Sequence, residues 1–80
     1  MPTKSVAVGS SVGLHARPAA IIAEAAGGLG STVTINGVDA SSSLMIMTLG
    51  AGPGDQVEVS SDDQAALDAI VALVEKDLDA

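Results

Sequence analysis

The chain has 80 residues, three of them basic and ten acidic, for a net charge of −7, and it contains no Cys, Phe, Tyr or Trp. A chain this short supports one small domain, residues 1–80, with a core of Ala, Val, Ile, Leu and Met, and without cysteine it has no disulfide, zinc cluster or thiol chemistry. The acidic balance disfavours nucleic acid and anionic membranes, stacking platforms for single strands are absent, and every apolar run falls far short of the ~20 residues of a membrane span.

Met1-Pro2-Thr3-Lys4 is not followed by an apolar segment, so it lacks signal-peptide character and predicts a soluble cytoplasmic protein. Ser5–Val8 reads as a short strand of β-branched and small residues, ended by Gly9-Ser10-Ser11. A helix is expected from about Ala16 to Ala26, stopped by Gly27-Gly28, with Pro18, Ile21, Ile22, Ala25 and Leu29 as its apolar stripe. Thr32–Ile35 alternates as a second strand. Asn36-Gly37 is a two-residue hairpin signal, which predicts a short returning strand over Val38–Ala40.

Ser41-Ser42-Ser43 then offers N-caps, and Gly50 a C-terminal stop, for a two-turn helix around Leu44–Leu49. Gly52-Pro53-Gly54 is a turn, too short to cradle a phosphate. Gln56–Ser60 alternates as the last strand. Ser61-Asp62-Asp63-Gln64 fits a capping box at the start of a final helix with the stripe Leu67, Ile70, Val71, Val74 and Leu78. Asp62 and Asp63 complement the helix dipole; with no third ligand near in sequence they do not read as a metal site, and none is expected elsewhere. The order strand, helix, strand, strand, short helix, strand, helix predicts an α+β fold of two layers, with one face of the sheet open to solvent. Val6, Val8, Val33, Ile35, Val57 and Val59 would meet the two longer helices, each contributing ~1.5–3 kcal/mol on burial.

The chemistry concentrates in Gly13-Leu14-His15-Ala16-Arg17-Pro18, which holds the chain's single histidine and single arginine. Proline lacks a backbone donor and has φ near the helical value, so Pro18 marks the first turn of a helix. His15 then sits at or just before the helix N-terminus, where free N–H groups and the dipole favour an anion. A nucleophilic imidazole beside a guanidinium at such a place is suited to carrying a phosphoryl group. A lone surface histidine is more often only a cap, but the adjacent Arg17-Pro18 weighs against that reading.

These residues, with a serine before a two-turn helix and Leu49-Gly50, resemble the HPr family across the whole chain. Its members are the histidine-containing phosphocarriers of the phosphoenolpyruvate-dependent sugar phosphotransferase system. The resemblance implies an open-faced sandwich, a four-stranded antiparallel sheet under three helices. It further implies that His15 is phosphorylated through Nδ1, that Arg17 is the charge partner of the phosphoryl group, and that the backbone N–H groups of Ala16 and Arg17 bind it. The implied partners are Enzyme I as donor and sugar-specific IIA domains as acceptors. The carrier would be a monomeric transfer intermediate, not a stand-alone enzyme, with no cofactor, no nucleic acid and no membrane insertion.

Two departures from the family pattern stand out. Where many relatives place lysines around the active site, this chain has Glu24, Gly27 and Met45, so charge steering toward acidic partners should be weak. Leu44 and Met47 would then offer an apolar docking patch beside His15, or else pack in the core, with Ile46 the better core candidate. Second, Ser42 stands where low-GC Gram-positive relatives carry a serine phosphorylated by a dedicated kinase. Here Ser41 replaces the usual neighbouring lysine and Ser43 the usual apolar residue. The Phe-free, alanine-rich composition looks more like that of actinobacterial carriers, where the kinase is not expected; Ser42 is read as an N-cap first and as a candidate regulatory serine second. An alternative function is a regulatory binding module, in which a target protein reads the phosphorylation state of His15.

Overall fold

The computed structural model describes residues 2–78. The elements are β1 (Thr3–Ala7), α1 (Ala16–Gly28), β2 (Val33–Ile35), β3 (Val38–Asp39), α2 (Ser43–Thr48), β4 (Gln56–Ser61) and α3 (Gln64–Glu75). The strands form one antiparallel sheet in the order β1-β4-β2-β3. The last strand therefore lies between the first two: Val6 is opposite Val57, and Ile35 is opposite Val59. α3 packs on β1, β4 and β2, while α1 runs against α3 and α2. Thr3, Ser5, Ala7, Gln56 and Glu58 remain exposed on the strands, giving the open-faced α+β sandwich expected from the element order.

The alternation of the strands explains the core. Val6, Val8, Val33, Ile35, Val57 and Val59 are all buried in one cluster with Leu14, Ile22, Ile46, Leu67, Ile70, Val71 and Val74. The hairpin is the type I′ turn that Asn36-Gly37 predicts, with φ of 50° and 85° at its two central residues. Asn36 also ties the turn to β4: its amide donates to the Glu58 carbonyl at 2.8 Å, and its side-chain oxygen accepts from the Glu58 amide at 2.7 Å.

Three local expectations are corrected. The buried face of α1 is Pro18, Ala19, Ile22, Ala23 and Ala26, whereas Ile21 and Ala25 are half-buried and Leu29 is exposed. Packed against α2 and α3, α1 turns three alanines inward beside Pro18 and Ile22, and the helix runs on through Gly27 and Gly28. The cap of α3 is Asp63, whose carboxylate accepts from the amides of Ala65 at 3.0 Å and Ala66 at 3.5 Å. Ser61 is not the first member of a capping box; it is fully buried and its hydroxyl donates to the Thr32 carbonyl at 2.8 Å. α3 also ends at Glu75, so Leu78 packs against the core from beyond the helix.

Candidate functional site

Between β1 and α1 the chain makes a loop held at both ends by backbone. Gly9 donates to the Val74 carbonyl at 3.0 Å, fastening the start of the loop to the last turn of α3. Ser10 is fully buried, and its hydroxyl accepts from the Leu78 amide at 3.3 Å. Further along, Leu14 buries its side chain and donates its amide to the Ala51 carbonyl at 2.9 Å. The loop preceding α1 is thus seated on the loop that follows α2. Gly13, at φ +77°, makes the approach feasible: a Cβ there would lie 2.4 Å from the Ala51 carbonyl oxygen.

His15 follows as the N-cap of α1. Its backbone is extended (φ −114°, ψ −173°), and its carbonyl accepts the first helical bond, from Ala19, at 2.9 Å. Its side chain makes no capping hydrogen bond and is exposed, so the ring is positioned by its backbone and free to react. Pro18 occupies the first turn and is buried, consistent with a residue that has no donor to offer. The amides of Ala16 and Arg17 have no hydrogen-bond partner among the described residues, and neither has the exposed Arg17 guanidinium. An exposed imidazole, two unspent N–H donors and an exposed, unpaired guanidinium thus lie within the first residues of one helix start, the arrangement an anionic group attached to His15 would need.

The electrostatic setting sharpens this. No Asp or Glu occurs before Glu24, and none between Asp39 and Asp55, so the β1–α1 loop, the start of α1 and α2 are free of acids, and the loop after α2 carries one, Asp55, at its end. No cluster of three or more His, Cys, Asp or Glu residues suited to a metal occurs among the described residues. A cleft of about 240 Å³ lies at the far end of α1, lined by Gly27, Gly30, Thr32 and Ser41 among others, and includes neither His15 nor Arg17.

Of the two docking residues expected on α2, Leu44 is 68 % exposed and Met47 is half-buried against the core, while Ile46, the expected core residue, is fully buried. Met45, which stands where many relatives place a lysine, is exposed at 43 %, and Val12, in the loop before His15 and not singled out in the sequence, is exposed at 55 %. The signal for Met45 was available, since a six-residue helix with Ile46 facing inward must turn its neighbours outward. Ser42 is the N-cap of α2 and accepts from the Met45 amide at 3.3 Å.

Comparison with known proteins points to one family. A family model described as the PTS HPr component phosphorylation site matches residues 2–76. The phosphocarrier protein HPr of Streptomyces coelicolor is 39 % identical, over 99 % of this chain and 94 % of that protein. The HPr of Treponema pallidum is 40 % identical, with 91 % of each chain covered. In structure, the chain superimposes on HPr from Thermoanaerobacter tengcongensis with a TM-score of 0.85 at 33 % identity, covering 94 % of this chain and 92 % of that one.

Proposed function

The chain belongs to the HPr phosphocarrier family of the phosphotransferase system, and from that premise we propose that His15 accepts a phosphoryl group from phosphorylated Enzyme I and hands it to a histidine of sugar-specific IIA domains. The observation that carries this reading is the placement of His15: an exposed ring, without a side-chain hydrogen bond, at the head of a helix whose Ala16 and Arg17 amides are unspent. In the first transfer a bond forms from His15 Nδ1 to phosphorus as the nitrogen–phosphorus bond of the donor histidine breaks. The second transfer is the same exchange with His15 as leaving group. One phosphoramidate replaces another in each step, so the carrier must hold the group without trapping it. The unpaired Arg17 suits that demand: it can close on the phosphoryl oxygens and release them without breaking a prior ion pair.

Docking would rest on apolar contact more than on charge. Leu44 and Met47 on α2, with the exposed Met45 beside them, supply the contact area, and the absence of Asp and Glu from the β1–α1 loop, the start of α1 and α2 limits repulsion of a phosphorylated partner. Affinity for Enzyme I should then vary little with salt, and a steep loss on adding salt would refute this mode of docking. Among the described residues no helix is long and apolar enough to cross a membrane. In this reading the carrier works in the cytoplasm as a monomer. Ser42 serves as a structural cap in this reading.

The test is phosphorylation of the purified protein by Enzyme I and phosphoenolpyruvate, followed by intact mass. One added phosphoryl group, lost in mild acid and absent from His15→Ala, is the expected result. A folded His15→Ala variant that still takes up and passes on phosphate overturns the reading.

A further inference from the structure

We propose that Asp55, which does not touch the reacting group, is a positioning residue for His15. The inference rests on the phosphocarrier reading, and its starting point is that nothing tethers the imidazole itself. With no side-chain hydrogen bond at His15, the place and orientation of the ring are set by the backbone on either side. On the C-terminal side this is the first turn of α1, through the Ala19 amide and the His15 carbonyl. On the N-terminal side it is the bond from the Leu14 amide to the Ala51 carbonyl at 2.9 Å. That carbonyl belongs to a loop rich in glycine, Gly50-Ala51-Gly52-Pro53-Gly54, which has little intrinsic stiffness.

Asp55 supplies the stiffness. Its carboxylate accepts from the Gly52 amide at 2.8 Å, and its own amide donates to the Gly52 carbonyl at 3.0 Å, closing the turn with two reciprocal bonds. Its carbonyl accepts from Val8 at 2.9 Å, while Gly54 donates to the Val8 carbonyl at 2.9 Å, so the closed turn is pinned to the residue that follows β1. The peptide whose carbonyl receives Leu14 is the one joining Ala51 to Gly52, and its N–H is the group the Asp55 carboxylate holds. The carboxylate and the Leu14 amide therefore grip opposite ends of one peptide plane. Removing the carboxylate frees that plane to rotate, and the acceptor that fixes the residue before His15 moves with it.

The experiment compares wild type, Asp55→Ala, Asp55→Asn and Gly13→Ala as phosphoryl acceptors of Enzyme I, together with amide hydrogen exchange at Leu14 and the ring resonances of His15. Asp55 is exposed, so Asp55→Ala should stay folded. It is expected to lower kcat for phosphoryl acceptance about tenfold with KM unchanged within about twofold, because orientation and not docking is lost. Leu14 should exchange about tenfold faster, and the His15 resonances should shift. Asp55→Asn keeps an acceptor oxygen and should recover most of the rate. Gly13→Ala, whose new Cβ would press on the Ala51 carbonyl oxygen, should reproduce the kcat loss from the other side of the contact. Wild-type kcat and Leu14 protection in Asp55→Ala overturn the proposal, as does a loss of rate with Leu14 protection unchanged. Should Enzyme I fail to phosphorylate even the wild type, the carrier reading fails by itself. Leu14 exchange and the His15 resonances then decide the positioning role alone, a change in Asp55→Ala supporting it and no change overturning it.

Discussion

Gly9→Ala tests how tightly the loop bearing His15 is fastened to the rest of the fold. A Cβ at Gly9 would stand 1.9 Å from the Glu75 carbonyl oxygen, 2.5 Å from the Glu75 carbonyl carbon and 3.1 Å from that of Lys76. All three atoms are backbone, so no side-chain rotation relieves the contact. Ordinary van der Waals separation begins at 3.4 Å, which requires the loop and the end of α3 to part by about 1.5 Å if ordinary packing is to be restored. Overpacking of this kind costs about 1–3 kcal/mol, and the bond from Gly9 to the Val74 carbonyl, 3.0 Å in the native fold, would add about 1 kcal/mol when lost. The expected destabilisation is about 2–4 kcal/mol, a large share of the about 5–15 kcal/mol typical of a small domain. At about 4–8 °C per kcal/mol, the Tm should fall by at least about 8 °C. With no Phe, Tyr or Trp in the chain, urea unfolding is best followed by far-ultraviolet circular dichroism. An urea midpoint and slope indistinguishable from wild type would show that the approach of Gly9 to α3 is no constraint, and would refute the reasoning.

Gly27→Ala should act in the opposite direction: the residue is helical and nothing lies within 4 Å of its would-be Cβ, so a gain of about 0.5–1 kcal/mol is expected in the same urea assay. Leu44→Ser should leave the urea midpoint almost unchanged, since Leu44 is 68 % exposed, yet weaken Enzyme I about tenfold or more if the leucine is buried on docking; calorimetric titration measures it. The Ser41 hydroxyl, and then the Ser41 amide, hold the Asp39 carboxyl below its ordinary value of 3.8. Such a group stabilises the fold above its unfolded pKa and ceases to do so as pH falls through the folded one. Asp39→Asn should therefore be less stable than wild type at neutral pH, with the difference closing as acid takes the solution below 3.8, in urea titrations at stepped pH.

The strands were readable because valine and isoleucine alternate with small and polar residues in each, and because Asn36-Gly37 leaves little choice of turn. The site was readable because Pro18 places a helix start to within one turn, and with it His15, Ala16 and Arg17. The inward face of α1 was harder to see, since periodicity weighs Ile21 and Leu29 above Ala19, Ala23 and Ala26, whereas close helix packing rewards small side chains. Ser61 and Asp63 are both good caps in isolation; only the demand of the Thr32 carbonyl for a donor assigns Ser61 to the sheet. Gly9 and Gly13 look like ordinary loop glycines until the approach of α3 and of Ala51 shows what each must make room for. Those are contacts between segments distant in sequence, and local pattern does not encode them.

The position of β4 between β1 and β2 has a consequence for synthesis. Until Gln56–Ser61 leaves the ribosome, β1 has no strand to pair with, because Thr3 waits for Ser60 and Val6 for Val57. Pairing across such a separation is slow to nucleate and comes late. A fragment ending at Gly54 should accordingly show no cooperative thermal transition by circular dichroism. The Leu14 seat on Ala51 is likewise held by a turn that Asp55 closes and Val8 anchors. A nascent chain thus exposes His15 early, but the seat of Leu14 on Ala51 takes shape only once Asp55 has been made.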